Sequence, residues 1–174
     1  MRIRSSIQAV ALGVAFHSVI GCAGSAPQRS TPASVGRSLD LSLPAIDGRR
    51  VDVGGESGRV RVIDFWATWC EPCREALPAL DALARELGPR GLSVYGVSVD
   101  EDRDRIQEFL ATVRVSFPIL WDKGAVAVSR FDVSYMPVTL LVDRKGVIRH
   151  VHQGWNPSSA SAERREIEAL LAEP

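Results

Sequence analysis

Cysteine is scarce in this chain, with only three among 174 residues. No second closely spaced Cys pair and no Cys–His set is present, so a four-ligand zinc site is excluded. An excess of charge of either sign is also lacking, because Lys plus Arg and Asp plus Glu both number 21. A chain without a basic excess has little to neutralise phosphates. We therefore expect neither a metal site nor a nucleic-acid partner.

The N-terminal segment lacks an apolar run long enough to span a bilayer. Arg2 and Arg4 precede a short apolar segment, residues 7–16, flanked as in a secretory signal. The segment leads into Val-Ile-Gly-Cys at residues 19–22, which resembles the lipobox of bacterial lipoproteins, where the Cys is acylated and becomes the mature N-terminus. Ordinary cleavage after Ala26 is the alternative. The pattern predicts an exported protein.

The sequence therefore predicts three parts: a lipoprotein signal peptide over residues 1–22, a flexible tether over 23–37 and one domain over 38–174. The tether is rich in Ser, Pro, Gly and Ala and has no apolar period. A lipid on Cys22 would hold the domain at the periplasmic face of a bacterial membrane. Ala23, in place of Asp, resembles lipoproteins that are sent to the outer membrane. Export implies an oxidising compartment.

Apolar patterning predicts strands and helices in alternation through the domain. The predicted strands are 39–43, 50–53, 59–67, 92–99, 117–120, 138–142 and 147–152, and the predicted helices are 74–87, 106–113, 123–131 and 158–172. This order predicts an α/β fold with a central mixed β-sheet, helices on both faces, and an N-terminal β-hairpin extension. The last two strands should form an antiparallel edge.

The most informative stretch is Trp69-Cys70-Glu71-Pro72-Cys73, where a strand gives way to a helix. One helical turn brings the two sulfurs within disulfide range. The unpaired N–H groups and positive dipole end of the helix favour a thiolate on Cys70, which makes it the nucleophile. Cys73 faces inward and resolves the mixed disulfide. A structural disulfide or half of a metal site is the alternative.

Other residues in and near this stretch have candidate roles. Pro72 lacks an N–H, which a first helical turn does not need. Glu71 should oppose thiolate formation and titrate together with the thiols. Trp69 is expected to form an apolar platform beside Cys70, whereas Trp66 is expected in the core. His150 and His152 could bind a metal, but a solvated edge strand is the expectation.

Residues 64–78, DFWATWCEPCREALP, resemble the active-site stretch of thioredoxin-like proteins. They are most similar to the exported TlpA/ResA-like branch, and the resemblance covers residues 38–174. It implies a thioredoxin-like fold and a redox-active disulfide, Cys70–Cys73, with no other cofactor. Pro78 matches the kink of the active-site helix, and residues 117–122 match a short strand of the branch.

The resemblance also implies roles for Met136, Pro137 and Asp64. Met136-Pro137 matches a cis-proline loop whose backbone pairs with an extended substrate peptide. Asp64 matches a buried acid that exchanges a proton with Cys73, the alternative being a strand-end charge that reaches solvent. The Lys that often accompanies this acid is absent, and Tyr135 and Val138 also depart from the usual pattern.

The leading hypothesis is a membrane-tethered thiol–disulfide oxidoreductase that reduces disulfides in exported proteins, as in cytochrome c or copper-site assembly. Reduction in an oxidising compartment needs electrons from a membrane partner. A peroxiredoxin-like thiol peroxidase is one rival, but Ile63 and Ala67 occupy the positions where its motif needs Pro and Thr or Ser. A copper chaperone is the other, and it spaces its Cys by three residues.

Overall fold

The apolar segment that precedes the Cys pair forms the central strand of the protein. In the computed structural model, which describes residues 34–131 and 135–174, all seven residues of Val60–Trp66 are buried. A strand covered on both faces is expected to be apolar throughout, as this one largely is. The strand carries the chain directly to Cys70.

The five-stranded central sheet is mixed. Its strands are β3 (Val60–Trp66), β4 (Leu92–Ser98), β5 (Ile119–Trp121), β6 (Val138–Val142) and β7 (Ile148–Gln153). They lie in the order β5-β4-β3-β6-β7, with β3, β4 and β5 parallel and with β6 and β7 antiparallel to their neighbours. A separate antiparallel hairpin joins β1 (Ser42–Pro44) to β2 (Arg50–Asp52). The predicted thioredoxin-like α/β fold, with its mixed sheet and N-terminal hairpin, is confirmed.

Three α-helices pack on one face of the sheet. They are α1 (Glu71–Leu87), α2 (Arg103–Thr112) and α3 (Pro157–Ala172). Their buried residues, including Leu77, Ile106 and Ile167, share one apolar cluster with Val62 and Trp66 of β3. Because side chains alternate along a strand, the intervening residues of β3 face the other side.

The opposite face is covered by the hairpin and by two 3₁₀ turns, Lys123–Ala125 and Val128–Phe131. A helix over residues 123–131 was predicted there. The segment instead turns at Gly124, whose φ of 77° interrupts helical geometry. The predicted helices on both faces are therefore present, but those on this face are short 3₁₀ turns.

The remaining differences concern element ends and the chain's start. Helix α1 begins at Glu71, three residues before the predicted start, and β5 is displaced toward Trp121. Gly36 N–H donates to Ile148 O at 2.8 Å, so pairing with the sheet begins before the predicted boundary at 38. The signal peptide, Cys22 and residues 23–33 of the tether lie outside the described residues. None of the described helices is long and apolar enough to cross a membrane.

Candidate active site

Cys70 and Cys73 form a disulfide at the N-terminus of α1. Their Cα atoms are 5.4 Å apart. Cys70 is the residue that precedes the helix, and its backbone is extended (φ −88°, ψ 105°). Cys70 is 5% exposed and Cys73 is fully buried, which agrees with the predicted outer and inner thiols. The Cys73 N–H donates to Cys70 O at 3.2 Å, and this bond closes the first turn of the helix.

The electrostatics of this position favour a thiolate on Cys70 when the pair is reduced. No side chain caps the first turn of α1, where the N–H groups of a helix point toward its N-terminal end. Pro72 is in this turn, where its missing N–H leaves no bond unmade. The positive end of the helix dipole adds to the effect. Cys73, one turn further in, lacks this advantage.

An apolar groove of about 610 Å³ opens beside Cys70. Its lining residues are Trp69, Cys70, Pro72, Ala125, Val128, Ser129, Tyr135 and Met136. Trp69 is 68% exposed and Tyr135 is 61% exposed, so two aromatic rings stand at the rim. Exposed aromatic side chains with an apolar face commonly form contacts with a partner. Cys70 is itself part of the groove lining.

The Met136–Pro137 peptide bond is cis, as the resemblance implied. Met136 lines the groove on the side opposite the helix, and Pro137 directly precedes β6. The role of Met136 in binding a substrate backbone stays a prediction. Val138 follows Pro137 and is fully buried, so it contributes to the core.

Asp64 is fully buried on the helix-bearing face of the sheet. The hydroxyl of Thr139, its direct neighbour on β6, donates to Asp64 Oδ1 at 3.0 Å. No described residue bonds to Oδ2. Burial raises the pKa of Asp64 to about 8, which the Thr139 bond opposes and the nearby carboxyl of Glu163 reinforces. Asp64 does not reach solvent, so the strand-end alternative is wrong.

Asp100 is a second buried acid near the Cys pair along the sheet edge. Its carboxylate accepts hydrogen bonds from Thr68 N–H (2.9 Å), Thr68 Oγ1 (2.7 Å) and Ser98 Oγ (2.8 Å). Asp102 caps α2 instead. Asp100 thereby fixes the turn that carries Trp69 and Cys70.

Asp122 stabilises the groove wall in the same way. Its two carboxylate oxygens accept from Ala127 N–H and Val128 N–H, both at 2.9 Å. Asp100 follows β4 and Asp122 follows β5, and these strands run parallel to β3, which leads to Cys70. Carboxyl ends of parallel strands meet at one edge of a sheet. The two Asp residues that follow β4 and β5 within two positions could therefore have been recognised from the sequence as residues that support the site.

Replacing Asp100 with Ala should loosen the active-site turn. The change leaves the Thr68 N–H and two hydroxyls without their acceptor, and it should lower the free energy of unfolding by about 2–3 kcal/mol. Urea unfolding of the oxidised protein measures the loss. Glu101→Ala changes an exposed acid beside it and should alter stability by less than about 0.5 kcal/mol. Equal stability of the two variants would contradict the role assigned to Asp100.

Other predicted residues are placed as follows. Glu71 is 91% exposed at its side chain and lies 3.6 Å from Arg74, so its field on the sulfurs is weakened by water and by the neighbouring cation. Trp66 is fully buried and packs on Phe109 with ring centroids 5.0 Å apart, as expected of a core residue. His152 Nε2 lies 2.6 Å from a carboxylate oxygen of Glu166.

No group of three or more potential metal ligands comes together among residues 34–131 and 135–174. His150 and His152 are half-buried beside α3, where Glu166 contacts both. The edge strand is therefore less solvated than the sequence suggested, because α3 lies over it.

Comparisons with known proteins agree with the site. The profile of the AhpC/TSA family matches residues 35–151, more than half of the chain. Thioredoxin-like protein YneN of Bacillus subtilis is 35% identical over 118 residues, which are 66% of this chain and 68% of the relative. Thiol-disulfide oxidoreductase ResA of Halalkalibacterium halodurans is 27% identical over 149 residues, which are 86% of this chain and 82% of the relative.

A solved structure from Chlorobium tepidum, described as a thiol:disulfide interchange protein DsbE, superposes with a TM-score of 0.76. It is 29% identical in sequence, and the alignment covers 82% of this chain and all of the other. The region that the family profile matches includes the Cys pair, the strand before it and the cis-proline loop. The chain therefore belongs to the AhpC/TSA family, as a thioredoxin-like thiol–disulfide oxidoreductase of the ResA/DsbE type.

Proposed function

We propose that the protein reduces disulfides in exported proteins while a lipid on Cys22 tethers it to a bacterial membrane. The observation that carries the proposal is the Cys70–Cys73 disulfide beside an open apolar groove rimmed by Trp69 and Tyr135. Such a groove suits an extended polypeptide better than a compact small molecule. The resemblance to the TlpA/ResA-like branch supports the direction of electron flow and a role in cytochrome c or copper-site maturation.

The reaction consists of two thiol–disulfide exchanges. The Cys70 thiolate attacks a substrate sulfur, which forms a mixed disulfide and releases the other substrate sulfur as a thiolate that takes a proton from water. Cys73 then gives its proton to Asp64 and attacks the Cys70 sulfur, which releases the second substrate thiolate. The substrate gains two electrons and two protons, and Cys70–Cys73 becomes oxidised. A membrane partner with a dithiol restores the reduced form.

The direction of the reaction is tested by the reduction potential of the Cys70–Cys73 couple in redox buffers. A reductase should have a potential more negative than about −200 mV, near those of thioredoxin and the glutaredoxins. The reduced protein should then reduce a model protein disulfide such as insulin. A potential near −120 mV, as in strong oxidants, would overturn the reductase proposal.

The lipid tether is tested by metabolic labelling with an alkyne fatty acid. The wild type should be labelled and Cys22→Ser should not, so equal labelling of the two would overturn the tether.

The two rival functions have their own tests. Ile63 and Ala67 are apolar and fully buried, so they offer no hydroxyl to orient a peroxide. Hydrogen peroxide should therefore oxidise the reduced pair no faster than an ordinary thiol of the same ionisation. Titration with Cu(I) separates a chaperone from an oxidoreductase, since tight binding without disulfide reduction would favour the chaperone.

A further inference from the structure

Three polar residues form a row across adjacent strands, from the interior of the sheet to its edge. Asp64 on β3 lies directly opposite Thr139 on β6, and Thr139 lies directly opposite His152 on β7. Side chains of directly opposed residues stand about 5 Å apart on the same face. This face is the one on which α3 packs, and most of its residues are apolar, with Ser98 and His150 as further polar residues. A polar row through an apolar layer has no packing advantage and needs another explanation.

Helix α3 places two acids over this row. Glu163 is 1% exposed, and its Oε1 has no hydrogen-bond partner among the described residues. Glu166, one turn later, bonds to His152 Nε2 at 2.6 Å and lies 3.5 Å from His150. The side chain of His152 is 20% exposed, so the row ends at solvent.

Glu163 is coupled electrostatically to both ends of this row. Its charge acts on Asp64 on one side, and it is itself influenced by His152 and Glu166 on the other. Burial raises the pKa of Glu163 to about 7, below the value of about 8 for Asp64. The remaining neighbours of α3 do not compete: α1 adds apolar side chains to the shared cluster, and its ion pair with α3 joins Glu86 to Arg164. Glu163 is thus the acid, among the described residues, that is both buried and electrostatically coupled to Asp64.

We propose that Glu163 is a proton-relay residue that connects Asp64 to solvent through His152 and Glu166. In this proposal Glu163 replaces the lysine that often accompanies the buried acid in thioredoxin-like proteins and that β4 of this chain lacks. The inference rests on the proposed exchange of a proton between Asp64 and Cys73.

Asp64 is mostly protonated at neutral pH, so it must lose its proton before it can accept one. That proton passes to the Glu163 carboxylate, and then through the hydrogen-bonded pair of Glu166 and His152 to water. The emptied Asp64 takes the proton of Cys73, and the Cys73 thiolate attacks the Cys70 sulfur. The departing thiolate takes a proton from water, so one proton leaves the protein and one is consumed outside it.

The test measures the second exchange alone. The protein is mixed as the reduced dithiol with a small aromatic disulfide, and the resolution of the mixed disulfide is followed by stopped flow from pH 6 to 9. Glu163→Gln should slow resolution at pH 7 on the order of tenfold. The first exchange, attack by Cys70, should be unchanged. Glu168→Gln makes the same change on the exposed side of α3, where Glu168 pairs with Arg164, and should have no effect.

A purely electrostatic or structural role predicts a different result. Removing the charge of Glu163 lowers the pKa of Asp64, which makes more of the base available at pH 7. Without a relay, resolution in Glu163→Gln would therefore be unchanged or faster, and that outcome would overturn the proposal. The pKa of Asp64 in the variant can be read from the ¹³C shift of its carboxyl carbon.

A second variant tests the outer end of the relay and does not depend on the fold of the first. His152→Ala should also slow resolution, and added imidazole should restore the rate in proportion to its concentration, because it replaces the lost proton carrier. Loss of rate without rescue by imidazole would overturn the assignment of His152. If the wild-type protein itself fails at the first exchange, the proposed function fails, and this result is distinct from equal resolution rates in wild type and variant.

Discussion

Cys73→Ala should accumulate as a stable mixed disulfide with its protein substrate, whereas Cys70→Ala should form none. Cys70 lines the groove and precedes the helix, where the positive end of the helix dipole favours its thiolate. Cys73 is fully buried and can reach only the Cys70 sulfur. Without Cys73 the first exchange proceeds and the second cannot. Both variants should lose at least about 10³-fold in turnover.

The measurement is a non-reducing gel of each tagged variant after expression with its signal intact, followed by mass spectrometry of the trapped partner. The double variant Cys70→Ala/Cys73→Ala is the control and should trap nothing. Trapping by Cys70→Ala alone would reverse the two roles and would contradict the geometry of the helix N-terminus. A partner that is itself exported and cysteine-containing would support the proposed substrate class.

The Cys pair and the strand–helix turn that carries it could be predicted from the sequence, because their chemistry is concentrated in a local pattern. An apolar strand, five residues with two cysteines, and an amphipathic helix specify a strand–helix turn wherever they occur. The role of Asp64 came from the resemblance, since the sequence pattern alone left open a carboxyl that reaches solvent at the end of the strand. The cis bond at Met136–Pro137 was accessible only through resemblance, because most X–Pro bonds are trans.

The supporting residues were missed because their roles depend on tertiary contacts. Asp100 is 32 residues from Thr68 along the chain, and an acid before a helix is more simply explained as a cap. Glu163 lies in a helix with many acids, and only the packing of α3 shows that it is buried while Glu168 is not. Helical periodicity identifies the apolar face of α3 but does not show which polar residue lies within it.

Asp64→Asn should make the oxidised protein more stable at pH 8 while it slows the reaction. The pKa of Asp64 is raised from 3.8 to about 8, mainly by burial. Between these values the folded protein holds a proton that the unfolded chain has released, so the free energy of unfolding falls as pH rises. One such proton corresponds to about 1.4 kcal/mol per pH unit. Asn is neutral and escapes this loss.

The expected gain at pH 8 is about 3 kcal/mol, smaller than the full proton term because the buried Asn amide lacks a partner for its N–H groups. Below about pH 3, where Asp64 is mostly protonated in both states, the variant should be no more stable than the wild type. Urea unfolding of the disulfide-bonded protein at several pH values measures both. Asp40→Asn changes an exposed Asp and should leave the pH dependence unaltered.

The slope of stability against pH separates Asp64 from Glu163. The pKa of Glu163 is raised from 4.5 to about 7, again mainly by burial, so it too destabilises the fold as pH rises. The wild type should therefore lose stability with a two-proton slope from about pH 4.5 to 7 and a one-proton slope from 7 to 8. Asp64→Asn should reduce these slopes to one and zero. An unchanged slope would mean that Asp64 is ionised in the folded state.

The kinetic effect of Asp64→Asn has the opposite sign. Without the carboxylate, Cys73 has no buried base, and resolution of the mixed disulfide should slow by about 10²-fold at pH 7. A gain in stability together with slower resolution of the mixed disulfide is the result expected if Asp64 acts as a base for the Cys73 thiol. We propose that this carboxyl, which the fold holds at a cost in stability on the face of the sheet that packs against the active-site helix, serves proton transfer rather than folding.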